Sequence, residues 1–278
     1  MRVLTLLLLL TLCPVAASEP PGATISEGLP DSHGILVHDV ASPFQAGTTR
    51  IRVLRPDQLE PTMRYRVIYV LPVEKLDEHR FGDGLLEIKR LNLHNEHHII
   101  FVAPTFSHLP WYADHPTDRQ IRQESYFLKV VLPFVEKSYP VSAEAQGRLL
   151  VGFSKSGWGA FSLLLRHPDL FGRAAAWDAP LMKDKPDQFG MKEIFGSQEN
   201  FENYQISKLL AARASTFHDN QHLILLGIGN FRDHHVGAHQ LMDQLNISHE
   251  YQDGPSRKHV WESGWMPEAV KLLLAEHR

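Results

Sequence analysis

Arg148-Leu149-Leu150-Val151-Gly152-Phe153-Ser154-Lys155-Ser156-Gly157-Trp158-Gly159-Ala160 is the stretch on which the fold turns. A short apolar run leads into glycine, then into a serine set among small residues, then into a second apolar segment that continues through Leu163, Leu164 and Leu165. The first run reads as a buried strand and the second as a helix. A serine on so sharp a strand-to-helix turn sits in strained backbone. The chain two residues to either side passes so close that only small side chains fit. Gly152 meets that requirement ahead of Ser154. Ser156 meets it less well, because glycine is the usual residue there and Gly157 lies one place further on. Taking Ser156 as the reactive serine would put Trp158 where a small residue is needed. Ser154 is therefore the candidate nucleophile, and a plain Gly/Ser-rich turn of a parallel sheet is the non-catalytic alternative.

Outward from this turn, strand-like and helix-like segments alternate. Short β-branched or aliphatic runs at 35–40, 49–54, 66–71, 98–103, 148–153, 173–177, 222–228 and 248–251 give eight candidate strands. The first three follow one another through short connections, which suits an antiparallel start. Thereafter helical patterns intervene. Phe127, Val130, Val131, Phe134 and Val135 share one face of a helix over 119–139 that Pro133 should bend, and two further helices are expected over 236–245 and from Pro267 onward. Such alternation implies an α/β domain, mostly parallel, with helices on both faces.

The chain has 278 residues, a formal charge of −4 and no basic run, which gives no electrostatic reason to expect nucleic acid as a partner. At the start, Arg2, an apolar run over 3–12 and Pro14-Val15-Ala16-Ala17 read as a secretory signal peptide cut after Ala17. That run is too short to span a bilayer, and no other stretch approaches ~18 uninterrupted apolar residues. Removal of the leader leaves 261 residues, no transmembrane segment and no cysteine, since Cys13 goes with it. No thiol nucleophile, disulfide or thiolate metal site is then expected. The expected organisation is a signal peptide at 1–17, a mobile lead-in at 18–33 rich in Pro and Gly, and one domain over 34–278. The product is expected in the periplasm or the medium.

Where a serine occupies this kind of turn, the acid and then the histidine follow it in the chain, on loops after later strands. Asp233 follows the run at 222–228 at the start of a helix, and His259 lies between the last strand and the last helix. Asp233 is thus the first candidate acid, although a helix cap would explain it equally. Asp178, in Trp177-Asp178-Ala179-Pro180, is the rival acid. Asp233, His234, His235 and His239 cluster in sequence but lack the H-E-x-x-H pattern, so no metal and no cofactor are expected. Asn246-Ile247-Ser248 fits the N-glycosylation sequon.

With its Gly-Phe-Ser154-Lys-Ser-Gly-Trp-Gly-Ala turn, the segment from Pro104 to Asp114, Glu124 ahead of Leu132-Pro-Phe-Val-Glu136, and His259-Val-Trp261, the chain resembles the putative-esterase branch of the α/β hydrolases. That branch includes esterase D, feruloyl esterases and mycolyltransferases. The resemblance covers about residues 48 to 277. It implies an eight-stranded α/β-hydrolase fold and a serine esterase working through an acyl-enzyme, with Ser154 as nucleophile, Asp233 as acid and His259 as base. The substrate would be a small-molecule or carbohydrate-linked ester. One departure matters. The family has Leu-His-Gly after the third strand, where this chain has Leu71-Pro72-Val73-Glu74. Pro72 has no N–H, so the second oxyanion donor must come from Val73 or Glu74, beside the N–H of Lys155. A misplaced donor costs about 10²–10³ in rate, which makes a catalytically silent protein that binds an envelope polymer or partner the alternative reading. Trp111, Tyr112 and Trp261 fall in or beside the expected site loops and are candidates for a substrate-binding wall.

Overall fold

The apolar runs form strands that pair into one sheet in the computed structural model, which describes residues 22–219 and 222–275. The leader, Cys13 and the start of the lead-in lie outside the described residues. In chain order the elements begin with β1 (Thr24–Ile25), β2 (Leu29–Pro30), β3 (Leu36–Ala41), β4 (Thr48–Leu54) and β5 (Val67–Val70). Next come α1 (Gly84–Arg90), α2 (Leu93–Glu96), β6 (Ile100–Pro104), α3 (Gln123–Tyr126) and α4 (Leu132–Ser138). β7 (Arg148–Phe153), α5 (Lys155–Arg166) and β8 (Arg173–Trp177) carry the central turn. The chain continues through α6 (Met191–Phe195), α7 (Gln198–Glu202) and α8 (Ile206–Arg213), then β9 (Leu223–Ile228), α9 (Arg232–Gln244), β10 (His249–Ser256) and α10 (Met266–Leu274).

The strand order is β1-β3-β4-β6-β5-β7-β8-β9-β10, with β2 also on β3. β4 runs antiparallel to β3 and β6, and every pairing from β6 to β10 is parallel. All eight strands expected from sequence are present. β5, β6, β7 and β8 are buried along their whole length, as a parallel sheet covered on both faces requires. Alternate residues feed two cores. Val67, Tyr69 and Leu150 join Trp158, Phe161, Tyr126 and Phe127 on one face, while Ile68, Val70, Val151 and Phe153 join Leu85, Trp261, Trp265 and Val270 on the other.

Two expectations change. Part of the lead-in is sheet rather than mobile coil, because β1 and β2 pair antiparallel with β3 and Ser26 O meets His38 Nδ1 at 2.9 Å. The outer edge of β3 would otherwise carry unpaired N–H and C=O groups. The helix over 119–139 is also not a uniform helix bent at Pro133. α3 passes through a π-helical segment, Phe127–Val131, and α4 then starts with Pro133 in its first turn. Proline lacks the N–H of an ordinary helical turn and its ring crowds the carbonyl four residues back, so the wider turn just ahead of it relieves both problems.

Glu124 ties this helix to the rest. Its carboxylate accepts from Arg166 Nε at 2.8 Å, His167 Nε2 at 2.7 Å and Tyr204 Oη at 3.1 Å. Burial raises the Glu124 pKa, but the bonds from His167 and Arg166 outweigh it and hold the carboxyl at about 2. With the folded value below the unfolded one, this contribution, on the order of 3 kcal/mol, is fully present above about pH 4.5 and is lost as pH falls toward 2. Glu124→Gln should therefore be less stable than the parent at neutral pH, with the difference shrinking below about pH 4.5. Urea titrations across that range measure it, and a gap that does not change with pH would contradict the assignment.

Candidate active site

Ser154 stands between β7 and α5 at φ 53° and ψ −132°, a conformation that side chains other than glycine rarely adopt. Its neighbours explain how it is held. A Cβ on Gly152 would lie 2.4 Å from the Ser156 carbonyl carbon, and one on Gly157 2.8 Å from Ala179 Cβ. Ser156, which departs from the usual glycine, fastens the turn: its Oγ donates to Phe153 O at 2.9 Å and accepts from Phe153 N–H at 3.1 Å. The Ser154 N–H donates to the carbonyls of Trp177 and Asp178, each at 3.1 Å. The turn is thereby joined to the C-terminal end of β8.

Asp178 is the carboxylate beside His259, with Oδ2 at 2.6 Å from Nδ1. Asp233, the first candidate from sequence, is not there. It occupies the first turn of α9 with its side chain in solvent, as a residue favoured by the helix dipole would. Asp178 is 1% exposed. Burial raises its pKa, yet the bond from His259 and the backbone N–H groups of Phe231 (2.6 Å) and Asn230 (3.0 Å) outweigh that cost and hold the carboxyl below its ordinary value. Gly229 is required next to it, because a Cβ there would come within 2.1 Å of Oδ2. The loop after β9 reaches this carboxylate through its N–H groups, while the Asp233 side chain stays outside.

His259 is enclosed by rings. Phe81, Phe153 and Phe231 lie with centroids 5.5, 5.0 and 5.9 Å from its own, and Trp177 at 6.1 Å. His234 and His235, which cluster with Asp233 in sequence, serve the segment after Asp178. His235 Nε2 accepts from Ala179 N–H at 2.7 Å and His234 Nδ1 from Met182 N–H at 3.0 Å. Burial pushes the His235 pKa down to about 4, which keeps the ring neutral and able to accept.

The Leu71-Pro72-Val73-Glu74 loop leaves β5 with the Leu71 N–H on Val151 O at 2.9 Å. Among the described residues, the N–H groups of Val73, Glu74 and Lys155 meet no protein acceptor. Pro72 gives this loop its anchor through its carbonyl, which accepts from Tyr112 Oη at 2.6 Å. Tyr112 reaches it by crossing α5 at Gly159, where a Cβ would lie 2.0 Å from the ring.

Trp111, Tyr112 and Trp261 do not form a substrate wall. They are 0%, 0% and 3% exposed. Trp111 packs edge-on against Trp158, and Trp261 against Phe153. The amphipathic ring that looks available in a loop sequence is worth more in the core, where it removes a large area from water. An open cleft of about 480 Å³ next to the serine turn is lined by Lys155, Glu74, Glu78, His79, Arg80, Phe81, Leu109 and Phe189. Burial lowers the Lys155 pKa, and Glu74 partly restores it. Of these cleft residues Lys155 and Glu74 were marked by sequence, for their backbone. The others carry no local signal, since Phe81, Leu109 and Phe189 sit in loops without periodicity.

The description of the matching family model is "Putative esterase", and it covers residues 46–247. The chain belongs to this family. Two curated relatives of this esterase-family chain, Esterase MT1326 and Esterase Rv1288 of Mycobacterium tuberculosis strains CDC 1551 and H37Rv, are 28% identical to it over 134 residues. That match spans 47% of this chain and 29% of the relatives' length. Similar solved structures include a ferulic acid esterase (TM-score 0.65, 21% identity, 86% of this chain and 96% of that one). Another is the fluorophosphonate-binding serine hydrolase F of Staphylococcus aureus (TM-score 0.70, 16% identity, 90% and 100%). A third is an S-formylglutathione hydrolase from Staphylococcus aureus (TM-score 0.69, 16% identity, 87% and 99%). The fold is the α/β-hydrolase fold.

The two candidate acids separate by stability. Asp178→Ala leaves two N–H groups and His259 without their acceptor and should lower the unfolding free energy by about 2 kcal/mol or more. Asp233→Ala should change it by less than about 0.5 kcal/mol. Equal effects in urea titration would contradict the placement of Asp178.

Proposed function

We propose that this chain is an exported serine hydrolase of carboxylic esters, acting through Ser154, His259 and Asp178. The observation that carries the reading is the 2.6 Å contact of Asp178 Oδ2 with His259 Nδ1, beside a serine held in strained backbone. A carboxylate can only accept, so Nδ1 carries the proton and Nε2 is left with its lone pair. His259 Nε2 takes the Ser154 hydroxyl proton as Oγ attacks the ester carbonyl, and returns it to the leaving alcohol. The acyl-enzyme is then opened by water, with His259 again as base. The N–H of Lys155, with that of Val73 or Glu74, receives the developing oxyanion; each such donor is worth about 10²–10³ in rate.

The aromatic collar around His259 buries its Asp178 side, which strengthens that hydrogen bond, and leaves the imidazole partly open. The cleft with Phe81, Leu109 and Phe189 offers apolar surface to a small-molecule acyl or aryl group, carbohydrate-linked esters included, with Arg80 and Lys155 at its polar side. The leader at 1–17 supports delivery to the periplasm or the medium. Among the described residues no helix is long and apolar enough to cross a membrane.

A fluorophosphonate probe should label the wild-type chain and leave Ser154→Ala unlabelled, with turnover of a p-nitrophenyl ester lost in the same variant. Asp178→Asn should lower kcat by about 10⁴, while Asp233→Asn stays within about twofold. A folded wild-type chain that takes no label would instead support the catalytically silent, polymer- or partner-binding reading that Pro72 raises.

A further inference from the structure

His239, Asp243 and His249 meet where α9 packs beside β10, and we propose that they bind a divalent transition-metal ion of the zinc class. His239 and Asp243 are one turn apart on α9, and His249 opens β10. His249 Nδ1 lies 2.8 Å from Ile247 O. A carbonyl only accepts, so Nδ1 holds the proton and the lone pair of Nε2 is directed inward. That Nε2 faces His239 Nδ1 at 2.8 Å and Asp243 Oδ1 at 3.9 Å. His239 Nε2 faces Asp243 Oδ2 at 3.4 Å.

The arrangement can accept a cation. With the His239 proton on Nε2, toward Asp243 Oδ2, the two imidazoles turn lone pairs toward each other, and a metal between them takes up both. Metal–nitrogen bonds of about 2.0–2.1 Å in a tetrahedral site put ligand atoms about 3.3 Å apart, within the 2.8–3.9 Å range found here. The ligand atoms are then His239 Nδ1, His249 Nε2 and Asp243 Oδ1. On binding, His239 keeps its proton on Nε2, toward Asp243 Oδ2, and its Nδ1 lone pair goes to the ion.

The supporting contacts are those a metal-bound imidazole uses. His249 donates to a backbone carbonyl, and Tyr251 stacks on His239 with centroids 4.1 Å apart and planes 16° apart, fixing its ring. The His249 side chain is 5% exposed, whereas Asp243 is 60% exposed and gives the ion its way in. Two imidazoles favour zinc-class ions over magnesium or calcium, which prefer all-oxygen sets. The sequence reading grouped His239 with His234 and His235, which point to the Asp178 segment instead. The site lies at the N-terminal end of parallel strand β10, opposite the end that carries Ser154, so it joins α9 to the sheet and is separate from the ester site.

Calorimetric titration of chelator-treated protein with ZnCl₂ and with MgCl₂ tests this. One equivalent of Zn²⁺ should bind and raise the thermal midpoint, and Mg²⁺ should do neither. Co²⁺ should give a visible absorption band. Asp243→Asn and His249→Gln should each weaken Zn²⁺ binding at least about tenfold. If His249→Gln fails to fold, Asp243→Asn decides alone. Absence of saturable Zn²⁺ binding, or binding unchanged in Asp243→Asn, overturns the proposal and leaves a hydrogen-bonded histidine pair.

Discussion

The close approach of the chain to itself at Gly152, Ser156 and Gly157 is the constraint from which the rest of the site follows. A strand cannot turn into a helix within one residue unless the flanking side chains are nearly absent, and a Cβ on Gly152 would lie only 2.4 Å from backbone. The strained Ser154 backbone persists because it is over-determined. Its N–H is held by the end of β8 and its neighbour Phe153 by the Ser156 hydroxyl. The same contacts bring Asp178, the first residue beyond β8, to the level of the serine.

From that point the site grows by compensating costs. Burying a carboxylate at 1% exposure is unfavourable by itself. Asp178 remains ionised because His259 and two backbone N–H groups from the loop after β9 converge on it. The missing side chain of Gly229 is what lets that loop come close enough. On the other side, Tyr112 crosses α5 at Gly159 and reaches the Pro72 carbonyl, so the loop after β5 is fixed by a strong hydrogen bond. The three loops are therefore mechanically joined through α5, β8 and the aromatic core rather than placed independently.

Much of the fold was legible because its signals are local and periodic. Four-to-eight-residue apolar runs, helical stripes and a Gly-x-Ser turn each depend on residues adjacent in the chain. Ser154 and His259 were legible as candidates for a related reason, since each sits beside a recognisable strand or helix end. The carboxylate that meets His259 was not. Asp178 and Asp233 both follow a strand, and choosing between them needs the direction of each side chain. Trp111, Tyr112 and Trp261 were misread as a substrate wall because an aromatic residue in an irregular segment looks exposed until the element packed over it is known.

The sequence by itself determined that this chain would form a mostly parallel α/β sheet with Ser154 at its sharpest turn, because steric crowding at that turn admits only small neighbours. Tertiary structure alone decided which carboxylate meets His259, which aromatic residues face the cleft, and that α9 and β10 bring two imidazoles and a carboxylate together. Those outcomes depend on contacts between residues of different elements, from ten to 81 positions apart for the ring pairings named, whose distances are set by sheet register and helix packing.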